Sequence, residues 1–427
     1  MYSRKNKMKY INFSIFNRLD FERQFEKVNF IPYKNKCKLI CGAFIGFDKG
    51  TINWINNMHS IDNDCFLLSE VTGENEIVTA QKVKLPFMYT PCALAKEQII
   101  TNVHCEFNLL NMVYVLQKPL LKICMLQMKN MYPEISLSYA LEWVCFAEKF
   151  AIKLLESLEP KEIYLWNIYY PFHRIIKFVA DGKKIPIKCI EFGVIPRTIA
   201  IDSVGQQGEA FPYRESAIFS QYKVSEQMIK KAKSRIRHIF ITGENRNEQD
   251  NQITTLKKKF NNSDSKTILF LGCNDLESTF MSEEKSKVAS LLFSSSDEAY
   301  RFVKKRCEKN QWNLRYKPHP IEVIRYGKKS YDENYVEGNI NWLIDDADLV
   351  ITPFSQCAYI AMFRQVPVML LGFCELWGTG SVYELKDKKE FDQIAKAAFK
   401  NGVTEKMEKN FLYHVARMTN FYLKEID

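Results

Sequence analysis

The chain has 427 residues, 46% hydrophobic and 26% charged, ordinary proportions for a soluble globular protein of about two to three domains. They exclude a disordered chain, a collagen-like repeat and a polytopic membrane protein. The 60 basic residues outnumber the 50 acidic ones, leaving +10, a mild bias toward anionic partners that identifies none.

The N-terminus, Met1 to Lys9, is basic, but no uninterrupted apolar stretch follows it, so no signal peptide is expected. No run approaches the roughly 20 apolar residues needed to cross a bilayer. Segment 1–36 carries nine Lys/Arg against three Asp/Glu. It reads as a solvated start or, alternatively, as a contact with an anionic membrane surface. The 12 cysteines are scattered, without CxxC spacing or zinc-ligand intervals. Most lie in apolar runs, as in Leu39-Ile40-Cys41, where Cys is a small hydrophobe. A reducing cytoplasm follows from this usage.

In chain order, Lys38 to Cys41 reads as a strand. Residues 136–158 have apolar positions at helical spacing, with Ser136 or Ser138 as cap. Pro160 ends that helix, and Glu162 to Trp166 is the next strand. Residues 172–181 are helical and Ile185 to Ile190 is a strand, a βαβ rhythm. Residues 226–266 turn Lys/Arg/Asn-rich, first as a helix and then as a polar loop. This predicts an N-terminal domain over 1–225, a linker over 226–265 and a C-terminal domain over 266–427. In the second half, strands Thr267–Leu271, Asn313–Tyr316, Leu349–Thr352 and Val366–Leu371 alternate with helices over 296–309, 341–347, 356–364 and 388–400. Ser296 is the expected cap of the first helix. The expected fold class is α/β, with a parallel sheet in each half.

Four constellations could carry chemistry. A strand delivers Lys317-Pro318-His319-Pro320 to the carboxyl edge of its sheet, where open α/β sheets bind ligands. Two prolines hold the backbone around His319 and Lys317 adds a cation, a combination suited to a phosphate; the structural alternative is a histidine in a turn. Ser355 follows a strand and precedes a helix, where it either cradles an anion or caps the helix. The loop Gly372 to Gly380 follows another strand, and Gly378 and Gly380 permit close backbone approach to a ligand. In the first half, Glu191 ends a strand, and Arg197, Asp202 and Gln206 follow in a Gly/Pro-bearing loop. A sugar-transfer site needs such a carboxylate as base or nucleophile. His173-Arg174 adds polar groups after the strand ending at Trp166.

Several motifs are absent: a Walker A loop, GxGxxG after a strand, GxSxG, HExxH, and a DxD in a strand-end loop. Asp345-Asp346-Ala347-Asp348 falls in a predicted helix and reads as a charged helix face. No nucleic-acid-binding signature is present.

Taken together and in order, these segments resemble the bacterial capsule polysaccharide biosynthesis family, which includes β-Kdo transferases. The family pattern runs from a His-Arg segment through Glu-x-Gly, an acid near a Gly-Val-Asn-Gly turn, and Lys-Pro-His-Pro. It ends with a Ser-bearing strand–helix junction and a Gly-rich loop. Here the corresponding residues are Pro171 to Arg174, Glu191-Phe192-Gly193 with Arg197, Asp202 to Gly208, Lys317 to Pro320, Ser355, and Gly372 to Gly380. The resemblance covers roughly residues 160–385. Two segments depart from it: the turn reads Val204-Gly205-Gln206-Gln207-Gly208, and the Glu-Glu-Gly of many members reads Ile190-Glu191-Phe192-Gly193.

The resemblance implies a GT-B architecture of two Rossmann-like domains facing across a cleft. It implies a CMP-Kdo donor as substrate, with no cofactor and no metal, and a glycolipid or oligosaccharide acceptor at the cytoplasmic face of the inner membrane. By analogy, His319 and Ser355 contact the CMP phosphate, Lys317 supplies positive potential, and Gly378 and Gly380 line the donor site. Glu191 and Asp202 face the anomeric carbon, while His173, Arg174, Arg197 and Gln206 meet the substrate. The alternatives are a CMP-sialic acid or UDP-sugar donor on the same scaffold, and a non-catalytic member of a polysaccharide assembly complex. A nucleic-acid partner is not expected.

Overall fold

The computed structural model describes residues 37–43, 64–70, 87–89, 109–133, 135–244, 265–325 and 332–426, with four isolated positions between 53 and 58. The basic start 1–36 and the polar loop 245–264 lie outside the described residues. Two compact units divide the chain: residues up to Glu191 with 426–427, and Phe192–Glu425.

The first unit is built on a parallel sheet. Strands β1 (Lys38–Ala43), β2 (Cys65–Glu70), β3 (Phe87–Tyr89), β4 (Glu162–Leu165) and β5 (Ile187–Phe192) run in the order β3-β2-β1-β4-β5. Ile40 of β1 sits between Leu67 and Tyr164. Leu39, Ile40, Cys41, Phe66, Leu67 and Leu68 are all buried, as expected of parallel strands covered on both faces. The connections are helical: α1 (Leu109–Leu116), α2 (Pro119–Met131), α3 (Leu137–Leu158) and α4 (Pro171–Gly182). Ser136 caps α3, its hydroxyl accepting from Tyr139 N–H at 3.0 Å. The α3 and α4 helices meet through Phe150 and Phe172, whose ring centroids are 5.9 Å apart. Phe172 is fully buried, and its truncation to Ala would cost about 3–5 kcal/mol. Buried Glu148 on α3 accepts from Lys118 Nζ and Tyr114 OH, both at 2.7 Å, so this internal carboxylate is fully paired.

The second unit comprises β6 (Thr198–Asp202), α5 (Glu226–Thr242), β7 (Thr267–Leu271), α6 (Ser296–Asn310), β8 (Asn313–Lys317), α7 (Pro320–Arg325), β9 (Leu349–Thr352), α8 (Cys357–Phe363), β10 (Val368–Leu370), β11 (Tyr383–Glu384), α9 (Phe391–Asn401), α10 (Glu405–Arg417) and β12 (Leu423–Glu425). Five strands form a parallel sheet in the order β11-β10-β9-β7-β8. Alternation along each strand feeds two cores. Ile268, Phe270, Leu349 and Ile351 pack with Ala299, Val303 and Cys307 of α6. Leu269, Leu271 and Val350 pack with Ala232 and Ile239 of α5 and with Phe411 and Val415 of α10. The period of two therefore covers both faces of the sheet with helices.

The changeover between units differs from the expected one. Helix α5, read as a linker, buries Ala232 and Ile239 in the second unit's core, so it belongs to that unit. Among the described strands one pairing is not parallel. β12 pairs antiparallel with β6, Leu423 opposite Ala200. The cap of α6 is Ser295 and not Ser296: Ser295 Oγ accepts from Glu298 N–H at 3.0 Å, while Ser296 Oγ accepts from Cys273 N–H. The acids 345–348 are consumed by cations. Asp345 pairs with Arg364, Asp346 with Arg315, and Asp348 with Lys266.

Candidate functional site at the carboxyl edge of the second sheet

Strand β8 ends at Lys317, and Pro318-His319 carries the chain into α7. Neighbouring β7 ends at Leu271, and the N–H of the next residue, Gly272, donates to Lys317 O at 2.9 Å. A Cβ at Gly272 would stand 3.2 Å from Pro318 Cα and 3.4 Å from His319 N, so the two strand ends run side by side with little room for a side chain. The His319 ring is held from within: Ile321 N–H donates to Nδ1 at 3.2 Å. An Nδ1 that accepts leaves Nε2 as the protonated nitrogen of the neutral ring, and therefore as a hydrogen-bond donor.

Lys317 is half-buried. Burial lowers the pKa of its ammonium, while Cys357 and Glu337 act in the opposite direction. It makes no side-chain hydrogen bond or ion pair among the described residues. A desolvated cation without a counter-ion is unfavourable unless a ligand supplies the charge.

At the end of β9, Thr352 Oγ1 accepts from Ser355 N–H at 3.1 Å, and Ser355 Oγ accepts from Cys357 N–H at 3.3 Å. Ser355 Oγ thus takes up the first N–H of α8, whose N-cap is Gln356, and its hydroxyl hydrogen is left to donate. Ser355 and His319 do not stand on adjacent strands: β7 lies between β8 and β9. Two strand spacings separate their backbones by roughly 10 Å, a gap that a phosphate with two side chains reaching toward it can bridge. Cys273, just past β7, links the two sides, with its Sγ 3.8 Å from Thr352 Oγ1.

The Gly-rich loop is bound up with packing. A Cβ at Gly372 would stand 2.3 Å from Ala289 O. Gly378 and Gly380 adopt φ of +82° and +68°. Gly378 N–H donates to Glu384 Oε1 at 2.6 Å, and Gly380 O accepts from Asn410 Nδ2 at 3.1 Å. Gly378 and Thr379 border a cavity of about 470 Å³, walled by Trp377, Lys409, Tyr413 and Arg417.

Asp202 is 4% exposed. Its Oδ1 accepts from Val204 N–H (2.6 Å) and Gly205 N–H (3.3 Å), and its Oδ2 accepts from Phe211 N–H (2.7 Å) and Tyr422 OH (2.8 Å). Four donors take up the lone-pair directions of one carboxylate, which here organises the 203–211 loop. Within that loop Gln206 is buried. Gln207 takes a φ of +54° and accepts from Thr279 N–H through Oε1. Arg197 pairs on the surface with Glu244 at 2.6 Å.

Glu191, His173 and Arg174 belong to the first unit. Glu191 is half-buried on β5. His173 is 1% exposed, and its Nδ1 lies 3.0 Å from Asn167 O, so that nitrogen carries the hydrogen. Burial lowers its pKa to about 4, and its bare Nε2 has no partner. Arg174 follows it on α4 and is also buried.

Of the expected residues, the second unit thus brings Lys317, His319 and Ser355 to one sheet edge. Asp202 and Arg197 are engaged elsewhere. The motif reading passed over Gly272-Cys273-Asn274-Asp275, although the same strand-end rule marks it: β7 is flanked by β8 and β9. Among the described residues no group of three His, Cys, Asp or Glu side chains could hold a metal ion.

No family model and no curated protein matches the chain. Solved structures similar to it include two from Thermosulfurimonas dismutans. KpsC, beta Kdo 2,7 transferase, is 15% identical over 68% of this chain and 86% of that one, with a TM-score of 0.39. KpsC, beta Kdo 2,4 transferase, is 13% identical over 61% and 80%, with a TM-score of 0.42. The UDP-GlcNAc 2-epimerase of Methanocaldococcus jannaschii is 11% identical over 90% and 99%, with a TM-score of 0.36.

Proposed function

We propose that the chain is a glycosyltransferase that transfers a sugar, Kdo in the favoured reading, from its CMP conjugate to a saccharide or glycolipid acceptor. The observation that carries this is the group of donors at the edge of the second sheet. Lys317 makes no side-chain hydrogen bond or ion pair among the described residues, the neutral His319 ring carries its hydrogen on Nε2, and Ser355 retains a hydroxyl hydrogen. Three hydrogen-bond donors suit a phosphate, which at neutral pH only accepts. In the reaction an acceptor hydroxyl gives its proton to a carboxylate base and attacks the anomeric carbon, and the bond from that carbon to the CMP phosphate oxygen breaks. Negative charge grows on the phosphate as it leaves, and these donors stabilise it. Glu191 is the proposed carboxylate for the sugar end, since Asp202 is occupied by four donors. A CMP-sialic acid or UDP-sugar donor would use the same phosphate contacts.

Glycolipid acceptors lie at a membrane surface, and the first unit supports a peripheral contact there. Leu109 and Leu110 on α1 are 66% and 80% exposed, and Val113 and Leu116 on α1 and Leu126 on α2 are exposed as well. Residues 107–133 contain three Lys and no Asp or Glu. An apolar face with cationic character suits an anionic interface. No single described helix is long and apolar enough to cross a membrane.

The test is thermal stabilisation by a panel of CMP- and UDP-sugars, since a bound donor raises the melting temperature by mass action. His319→Ala should retain its melting temperature without ligand and lose both the stabilisation and the transfer. Wild-type transfer by this variant would remove the central assignment.

A further inference from the structure

One wall of the second unit's cavity is a single helix face. Lys409, Tyr413 and Arg417 of α10 recur every four residues, so they stand in a row along that face. The loop after β10 contributes Trp377, and the chain before α5 contributes Ser220. The volume of about 470 Å³ falls within the roughly 300–1,000 Å³ of small-molecule sites. Lys317, His319 and Ser355 do not line it, so it is separate from the phosphate edge. Its charge has one sign, because no Asp or Glu lines it. Lys409 makes no side-chain hydrogen bond or ion pair among the described residues. Arg417 engages its Nε, which donates to Tyr222 O at 3.2 Å, and makes no ion pair among them either. Arg417 is half-buried, and burial lowers the pKa of its guanidinium, as happens to a cation whose lost hydration the protein does not replace. The buried imidazole of His414 adds no charge: its Nε2 lies 2.8 Å from Tyr359 OH, and burial, followed by Arg417, lowers its pKa to about 3. Glu384, which accepts from Gly378 N–H, is paired with Lys386 at 3.4 Å.

The neutral lining groups have the opposite polarity. Ser220 Oγ donates its hydrogen to Ala217 O at 3.0 Å, and Asn410 Nδ2 donates to Gly380 O at 3.1 Å. With those hydrogens used, the serine oxygen and the amide Oδ1 are left as acceptors. A ligand that matches both sets carries an anion and hydroxyl groups on one frame. Trp377 and Tyr413 add aromatic surface against which the C–H groups of such a frame pack. A neutral sugar would leave the cations unmatched, and an inorganic anion would leave the rings bare. We propose that this cavity is a second saccharide-binding site that takes a sugar acid. Its carboxylate meets Lys409 and Arg417, its hydroxyls donate to Ser220 and Asn410, and its ring lies against Trp377 and Tyr413. The inference goes beyond the donor reading and holds whether or not the donor is a CMP conjugate.

Saturation-transfer NMR on the full chain, titrated with glucuronic acid and with glucose as its neutral counterpart, tests it. Glucuronic acid should bind about 10-fold more tightly than glucose. Neither CMP nor inorganic phosphate should displace it as well as unlabelled glucuronic acid does. Lys409→Gln should weaken glucuronic acid about 5-fold, and Trp377→Leu should weaken both sugars. Lys409 is exposed and unpaired among the described residues, so its replacement folds normally and keeps the test decisive even where Trp377→Leu does not fold. Equal affinity for the two sugars, no binding of either, affinity unchanged in Lys409→Gln, or full displacement by CMP or phosphate overturns the site. Each of those results leaves the donor reading to its own thermal assay. A wild type that binds glucuronic acid as expected, yet is stabilised by no nucleotide sugar, keeps this site and loses the donor reading.

Discussion

Replacing Asp202 by Ala separates its two roles, base at a reaction centre and organiser of a loop. The substitution withdraws the acceptors of three backbone N–H groups and of Tyr422 OH, at a residue 4% exposed. Each buried donor left unmatched is unfavourable by about 1–3 kcal/mol. Water entering the vacated space recovers part of this, so the expected loss is about 3–5 kcal/mol. In a unit of this size that lowers the melting temperature by about 10 °C. Asp202→Asn keeps one acceptor oxygen but turns an NH2 group toward the remaining donors, and should lose about half as much. Tyr422→Phe should lose about 1 kcal/mol and be strongly non-additive with Asp202→Ala, because the two share one bond. Urea denaturation followed by fluorescence, with calorimetry, gives these values. An Asp202→Ala protein within about 0.5 kcal/mol of wild type that has nonetheless lost transfer would refute the loop argument and return Asp202 to the chemistry.

Lys317→Met removes a half-buried cation that has no counter-ion among the described residues. It should leave the unliganded protein as stable as wild type or more so, by about 1 kcal/mol, while abolishing nucleotide-induced stabilisation in the thermal assay; a variant still stabilised normally would contradict the role given to this residue. His173 and His414 are buried, and their pKa values are lowered to about 4 and about 3. Both are depressed below the ordinary value near 6.5, so their stabilising contribution is complete above about pH 6.5 and is lost as pH falls toward the native values, by about 1.4 kcal/mol per pH unit for each imidazole. His173→Gln should flatten the acid side of the stability curve measured by denaturant titration between pH 4 and 7, and an unchanged curve would rule this out. Leu110→Glu should leave the melting temperature within about 1 °C and weaken co-flotation with phosphatidylglycerol vesicles several-fold; undiminished flotation would exclude α1 as the contact.

The parts legible in the sequence were those governed by local rules. Helix α3 was marked by apolar spacing with Ser136 or Ser138 as cap, and the strands of the second sheet by the runs 267–271, 313–316 and 349–352. The strand-end rule placed Lys317, His319 and Ser355 at one edge. The remainder depends on partners distant in the chain. Nothing near Thr198 shows that its strand will pair with Leu423–Glu425. Chain order made β8 and β9 successive, yet β7 separates them. An acid in a Gly-bearing loop looks the same whether it awaits a substrate or, like Asp202, holds backbone N–H groups.

The pairing of β6 with β12 has a further implication for how the polypeptide is made. Tyr422 and Asp202 are 220 residues apart, so during translation the β6 edge waits until nearly the whole second unit has left the ribosome. In that interval an unpaired strand edge is open to other chains. Nascent chains halted before Tyr422 emerges should therefore depend on chaperones far more than chains in which Leu423–Glu425 are already free to pair.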